Sequence, residues 1–449
     1  MQTQTKDNPI TQGVIWKQLL LFFFPILIGT FFQQLYNTVD SVIVGQFVGK
    51  EALASVGGSS AQIVTLVVGF FTGLSSGAAV TIAQFFGAQD EKSANQGLHN
   101  AYALSLTAGI ILTAIGIVLT PSMLRLMNTP EDILSDSIIY LRIYFAGIIF
   151  VLIYNMGSAI LRATGDSKRP LYYLIVCCGI NIVLDILFVV GFQMGVTGAA
   201  SATLIAQAAS AFLVTFKLLR CRGILSLSLR KIRFHAPILK HQLRLGLPTG
   251  FESILFAITN IAIQSAVNTF GTDTAAAWSA FGKLDAIFWM VSTAFGISIT
   301  TFVGQNYGAG KMDRVRKSTR VCLLIDLIVS VFLVIFLVAA RAFLFRLFTS
   351  DAEVIRIGCD MLLLITPWYV VYVFIEVLAG SLRGAGNVIV PVVITLVGVC
   401  IMRIIWLAVV LKVSPTLSSI IFSYPVTWIL TALAFILYYI HKEREHARQ

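Results

Sequence analysis

Charged side chains are scarce in this sequence. Only 12% of the 449 residues are Asp, Glu, Lys or Arg, and 57% are hydrophobic, whereas about a quarter of the residues of an ordinary soluble domain are charged. So little charge leaves too few polar side chains to cover a water-soluble fold of this length. The composition therefore predicts a polytopic membrane protein.

The sequence also lacks a basic stripe of the kind that binds nucleic acid. Its net charge is +11, but the lysines and arginines lie in the connections between apolar segments. Charge placed in this way orients a chain in a bilayer. We therefore expect the lipid bilayer as a partner and no nucleic acid.

Signatures of enzymes, metal sites and ATPases are missing as well. The six cysteines lie mostly in apolar segments without CxxC spacing, the five histidines lie in or near loops, and no GxxxxGK[ST] motif occurs. We expect no catalytic residues, no cofactor and no ATPase subunit. A removable signal peptide is not indicated either, because polar residues 1–11 lead directly into the first apolar segment, which we expect to act as an uncleaved signal anchor.

Twelve apolar segments are long enough to be transmembrane helices. They lie at 15–44, 53–82, 96–120, 133–160, 170–191, 195–217, 239–268, 275–303, 318–340, 354–381, 388–411 and 417–440. Lysine and arginine concentrate after the fourth, sixth, eighth and twelfth segments, so the positive-inside rule predicts that both termini and the even-numbered loops are cytoplasmic. The expected location is a bacterial-type cytoplasmic (plasma) membrane.

An internal repeat predicts the architecture. The run 161–166 (Leu-Arg-Ala-Thr-Gly-Asp) recurs as 382–387 (Leu-Arg-Gly-Ala-Gly-Asn), and Gln84-Phe85-Phe86-Gly87-Ala88 recurs at the same offset as Gln305-Asn306-Tyr307-Gly308-Ala309. We expect an all-α protein with two pseudo-symmetric six-helix bundles, residues 1–220 and 239–449, joined by a basic cytoplasmic linker, 221–238. Each half begins on the same side, so the halves are parallel repeats, an arrangement typical of transporters. The repeated runs themselves have glycines suited to helix ends, and we interpret them as structural.

Two polar pairs interrupt the apolar segments of the first half. Asn181 and Asp185 are four residues apart and therefore share one helix face. Asn37 and Asp40 are spaced similarly in the first segment. A carboxylate at membrane depth is costly unless it faces a cavity or a partner. These groups are interpreted as holding and releasing a cation; the alternative is a hydrogen bond that packs helices together.

Several short motifs together resemble the multidrug and toxic compound extrusion (MATE) family. The first-helix signature lies at 37–45 and 51–57, and further motifs lie at 84–87, 161–166, 181–185, 246–248, 305–308 and 382–386. The resemblance covers nearly the whole chain. It implies twelve helices in a V-shaped pair of lobes that export drugs or metabolites in exchange for H⁺ or Na⁺.

In the first lobe, the resemblance places four residues around the coupling cation, namely Asp40, Asn181, Asp185 and Thr203. It places Asn155 nearby. Two carboxylates in one dry cavity cannot both ionise cheaply, so the pair is suited to holding a proton. Alternatively, Asp40, Asn181, Asp185 and Thr203 offer the oxygen ligands that Na⁺ prefers. The residue types are compatible with either ion.

The second lobe contains a different set. Some family members use acidic residues in the seventh and tenth helices for the cation or for a cationic drug. Glu252 matches the first position, whereas Glu376 is displaced by about one turn from the second, which Tyr372 occupies. Asp285 has two alternatives, a functional role or a structural ion pair with Lys283, and Arg403 requires a carboxylate partner.

Pro25 lies in the first helix, where it removes a backbone donor and permits a kink. The kink is either a hinge that bends when Asp40 changes charge or a static adjustment to neighbouring helices.

Together these features predict a secondary exporter of amphipathic, cationic small molecules that acts by alternating access and is complete as a monomer. The alternative function is a flippase for lipid-linked precursors from the same superfamily.

Overall fold

The structure, a computed structural model, describes residues 8–221 and 223–448, with the side chains of 446–448 left out. Within these residues twelve helical stretches are long and apolar enough to cross a membrane. We number them α1 to α12. They are Ile15–Phe47, Lys50–Gly87, Glu91–Leu126, Glu131–Ala163, Lys168–Gly191, Gly195–Arg220, Ala236–Asn268, Thr272–Gly308, Met312–Arg346, Ala352–Gly384, Ile389–Val413 and Leu417–Glu445.

The predicted fold class, an all-α protein with twelve membrane-spanning helices, is confirmed. Most of the helices are longer than the apolar segments that indicate them. For example, α3 begins at Glu91, five residues before the predicted segment, where the Asp90 side chain accepts a hydrogen bond from the backbone nitrogen of Ser93 at 3.0 Å. A capping residue can start a helix in a polar stretch of sequence. Because the first turn of such a helix is polar, a hydropathy average does not include it in the apolar segment.

The described residues form two compact units. One is Leu21–Gly250, and the other combines the described residues up to Leu20 with Phe251 and the residues after it. The linker residues 223–235 belong to the first unit. The lobe boundaries inferred from the repeat, 1–220, 221–238 and 239–449, stay predictions, and residues 1–7, 222 and 449 of those ranges lie outside the described residues.

In the unit Leu21–Gly250, α4 is the central helix and packs against α2, α3 and α6. Its core includes Leu141, Phe145, Ile148 and Leu152. In the other unit, α8 packs against α9 and α10, around an aromatic core that includes Phe288, Tyr369 and Trp428.

Two membrane-spanning helices change their hydrogen-bonding pattern, α5 over its last turn and α11 near its middle. In α5, an α-helix ends at Asp185 and a π-helix runs over Ile186–Gly191. In α11, a π-helix over Leu396–Ile401 leads into Met402 and Arg403. Short π segments inside helices are frequent at functional sites. In this protein each adjoins a charged residue at membrane depth.

Candidate functional site

Two buried carboxyl groups face each other in the unit Leu21–Gly250. Asp40 on α1 is 7% exposed, and Asp185 at the end of the α-helical part of α5 is 0% exposed. The two side chains interact electrostatically with each other. Two carboxylates have no proton to share, and among the described residues neither Asp185 oxygen has a hydrogen-bond partner. The pair is therefore arranged to accept a positive charge between the two groups.

Asn181 and Thr203 supply further oxygen atoms near this pair. Asn181 lies one turn before Asp185, and its Nδ2 donates to Thr203 Oγ1 on α6 at 3.5 Å. This orientation leaves Asn181 Oδ1 buried without a hydrogen-bond partner in the part of the chain that the structure describes. The structure thus brings together Asp40, Asn181, Asp185 and Thr203, the four residues for which the family resemblance implies a cation site. In the described residues no group of three or more His, Cys, Asp or Glu side chains is placed to hold a metal ion, so any Na⁺ would depend on the amide and hydroxyl oxygens as well as the two carboxylates.

The other two candidates of this lobe are placed differently. The Asn37 side chain is exposed and Asn155 is half-buried. Within the described ranges, no recorded hydrogen bond joins either side chain to the carboxyl pair.

Three tyrosines around the carboxyl pair were not foreseen from the sequence. Tyr140 interacts electrostatically with both Asp40 and Asp185, and Tyr36 interacts with Asp40. Tyr144 lies one turn beyond Tyr140, and the two rings stack with centroids 6.4 Å apart. The i, i+4 spacing of Tyr140 and Tyr144 places both rings on one face of α4, and this was the only sign of them in the sequence. It was not sufficient, because many aromatic residues in a membrane protein only pack against their neighbours. Their hydroxyl groups are polar neighbours that can move or stabilise a proton at the carboxyl pair.

The second unit contains a buried charge cluster of a different composition. Glu252 on α7 accepts a hydrogen bond from an Arg383 guanidinium nitrogen at 3.5 Å, with side chains 7% and 17% exposed. Arg383 also interacts electrostatically with Glu376. Glu376 in turn lies directly against Gly296, where a Cβ atom would meet its carboxylate oxygen at 2.0 Å. Tyr372 is buried within electrostatic range of both glutamates. Arg383 belongs to the repeated run 382–387, so a residue in a run interpreted as structural also supplies the positive charge of this cluster.

Asp285 and Arg403 are held by aromatic residues. Asp285 accepts hydrogen bonds from Trp289 Nε1 at 2.7 Å and from the hydroxyl of Tyr369, whereas Lys283 is exposed. Arg403 lies 4.0 Å over the ring of Tyr424 and donates to Thr427 Oγ1 at 3.0 Å.

Asp285 is therefore stabilised by neutral donors rather than by Lys283. Arg403 has no carboxylate within ion-pair distance among the described residues, and Asp285 is its longer-range counter-charge. A cation held over an aromatic face in this way gains a favourable interaction without a buried anion.

Asp326 is a membrane-embedded carboxyl group that the sequence analysis missed. It is 0% exposed on α9, accepts a hydrogen bond from Ser330 at 3.2 Å and interacts electrostatically with Glu376. Its other oxygen has no hydrogen-bond partner within the described ranges. The signal was present in the sequence, because Asp326 is the only charged residue in the apolar run 321–340.

Comparison with known proteins identifies the family. The MatE family model matches residues 25–187 and 248–409. The probable multidrug resistance protein YoeA of Bacillus subtilis is 31% identical, over 88% of this chain and 86% of the relative. The probable multidrug resistance protein YpnP of the same organism is 30% identical, over 89% of each chain. An outward-facing structure of a multidrug resistance MATE family transporter has a TM-score of 0.92, 23% identity and full coverage of both chains.

The fold and the family match define a multi-span membrane transporter. The chain belongs to the MatE family. The two relatives reported above are named as probable multidrug resistance proteins. The flippase alternative is not favoured by these comparisons.

Proposed function

We propose that this protein is an antiporter that exports amphipathic, cationic small molecules in exchange for H⁺ or Na⁺. The observation that carries the proposal is the buried Asp40–Asp185 pair, together with the unpartnered oxygen of Asn181. A buried pair of like charges is unfavourable unless a cation or a proton occupies it. An ion bound between Asp40 and Asp185 therefore lowers the free energy of any conformation in which the ion can reach this site.

Coupling follows from different affinities in two conformations. When an ion binds at Asp40 and Asp185, it stabilises whichever state brings these carboxyl groups together, and substrate binding stabilises the other state. The π segment after Asp185 offers a place where α5 can shift its register as the charge changes. H⁺ or Na⁺ is the only co-substrate in this scheme.

The second unit supplies the substrate's counter-charge in this proposal. Glu252 and Glu376 share a single cation, Arg383. Two carboxylates and one guanidinium leave an excess negative charge that an organic cation can balance. Tyr372 lies within electrostatic range of both glutamates, and Arg403 lies within electrostatic range of Tyr372 and Asp285.

The distribution of basic residues supports an orientation. The linker carries Arg230, Lys231 and Arg233, and the connection between α8 and α9 is also basic. With these segments in the cytoplasm, both termini are cytoplasmic and the protein lies in the cytoplasmic membrane of a bacterium. We propose that one chain is the complete transport unit.

The test uses purified protein in liposomes with H⁺ and Na⁺ gradients imposed separately. The uptake of ethidium, a fluorescent cationic probe, is followed for the wild type and for Asp40→Asn and Asp185→Asn. We expect one gradient to drive uptake and both variants to abolish it. Gradient-driven uptake that persists in both variants would remove the coupling site from the first unit. Movement of a fluorescent lipid-linked oligosaccharide instead of ethidium would favour a flippase.

A further inference from the structure

We propose that the linker residues 223–235 and the start of α3 form a binding pocket for the phosphate group of an anionic phospholipid. The pocket has a volume of about 320 Å³. Four cationic side chains and two histidines line it, namely Lys92, Arg230, Lys231, Arg233, His99 and His235. The pocket lies within the unit Leu21–Gly250, apart from the carboxyl pair and its helices α1 and α5.

The charge around this pocket is of one sign. No carboxylate among the described residues lines it, and Asp90 and Glu91, which precede Lys92, are not part of its wall. Among the described residues none of the four cations has a carboxylate within 4.0 Å; the ion pairs of this protein, such as Arg169–Asp166 and Arg383–Glu252, lie elsewhere. Four positive charges converging on one concave site attract an anion strongly, and a phosphate group accepts hydrogen bonds from several of them at once.

Hydrogen bonds hold the linker wall of the pocket in place. Asn95 Nδ2 donates to the backbone oxygens of Ile224 and Ser226 at 3.1 and 3.0 Å. The backbone nitrogen of Ser228 donates to His99 Nε2 at 3.0 Å. The backbone nitrogen of His235 donates to Asn100 Oδ1, also at 3.0 Å. A linker tied down at three points presents its cations in a fixed arrangement, so little entropy is lost when an anion binds.

The surroundings of the pocket favour a lipid over a soluble phosphate compound. Leu229 and Phe234 alternate with the basic residues and are 64% and 47% exposed. The linker joins the ends of α6 and α7, so it lies at the membrane boundary. Exposed apolar side chains beside lysine and arginine are typical of segments that rest in the headgroup region of a bilayer.

The experiment measures the binding of dioctanoyl phosphatidylglycerol to the full chain in a neutral detergent by native mass spectrometry. The pocket variant is Arg230→Gln with Arg233→Gln. The matched control is Lys240→Gln with Arg244→Gln, which removes the same charge from exposed positions of α7 outside the pocket. Parallel arms use dioctanoyl phosphatidylcholine and inorganic phosphate. A second pocket variant, Lys92→Gln with Lys231→Gln, replaces the first if the first has a lowered melting temperature.

We expect the pocket variant to bind phosphatidylglycerol about tenfold more weakly than the wild type and the control variant, since each basic residue near a membrane surface contributes roughly a factor of several to anionic lipid binding. Phosphatidylcholine should not distinguish the variants, and inorganic phosphate at the same concentration should not displace phosphatidylglycerol. Equal binding by the pocket and control variants would overturn the site. Displacement by inorganic phosphate would overturn the lipid assignment and identify a free phosphate compound as the ligand.

Discussion

The backbone nitrogen of Gly246 on α7 lies 2.3 Å from the position that a Cβ atom would occupy at Gly77 on α2. One turn away on each helix, the position that a Cβ atom would occupy at Gly73 lies 2.4 Å from the backbone nitrogen of Gly250. Both helix segments belong to the unit Leu21–Gly250. Two glycines spaced four apart on each helix allow the backbones to touch, a packing mode common in membrane helices.

Gly77→Ala should therefore destabilise the protein by about 1–3 kcal/mol, because a methyl group at this point overlaps backbone atoms that cannot move independently. The measurement is thermal unfolding of the purified protein in detergent. Gly179→Ala is the matched control, since a Cβ at Gly179 on α5 meets nothing within 4 Å. The control should be neutral or slightly stabilising. Equal melting temperatures for the two variants would contradict the close approach.

The hydroxyl of Thr203 should contribute to ion binding through Asn181. Thr203→Val removes the acceptor of the Asn181 Nδ2 hydrogen bond and leaves a buried amide free to turn its nitrogen toward the carboxyl pair. We expect the ion concentration for half-maximal transport to rise about two- to tenfold, the cost of one hydrogen bond. Thr203→Ser keeps the oxygen and should behave as the wild type. If valine and serine variants are indistinguishable from the wild type, Thr203 only packs.

Arg383 should stabilise the second unit by balancing Glu252 and Glu376. Arg383→Gln leaves both carboxyl groups without their cation, and breaking a buried pair on one side costs about 3–5 kcal/mol. The double variant Arg383→Gln with Glu252→Gln removes the pair together and should recover much of this loss. A double-mutant cycle of melting temperatures measures the coupling. Additive effects would show that Glu252 does not interact with Arg383.

Pro25 offers a test of the hinge in α1. The helix runs without interruption over Ile15–Phe47 with Pro25 inside it. Pro25→Ala restores a backbone donor and stiffens the helix, and if bending is part of transport, ethidium uptake should fall several-fold at normal expression. Pro121→Ala in α3 also replaces a proline inside a long helix and should leave uptake unchanged. Unchanged uptake for Pro25→Ala would contradict the hinge and would favour the alternative, in which Pro25 only adjusts α1 to its neighbouring helices.

Rarity decides which site residues can be recognised in the sequence. Asp40 and Asp185 stand out because a carboxylate at membrane depth is costly and therefore uncommon. Asp326 gives the same signal. Tyr36, Tyr140 and Arg383 do not, since tyrosine is frequent in membrane proteins and Arg383 lies near a helix end where arginine is ordinary. What makes them neighbours of the carboxyl groups is helix packing, which brings together positions distant in the chain.

The twelve helices and the duplication follow from the order of residues alone. Segment length is set by bilayer thickness, and a repeat is visible wherever two stretches keep the same spacing. The helix ends, the close approach of Gly77 to Gly246 and the choice of partners for Asp285 and Arg403 depend instead on packing in three dimensions. Hydropathy along a chain contains no information about which helix faces meet, and the meeting of those faces places Asp185 opposite Asp40.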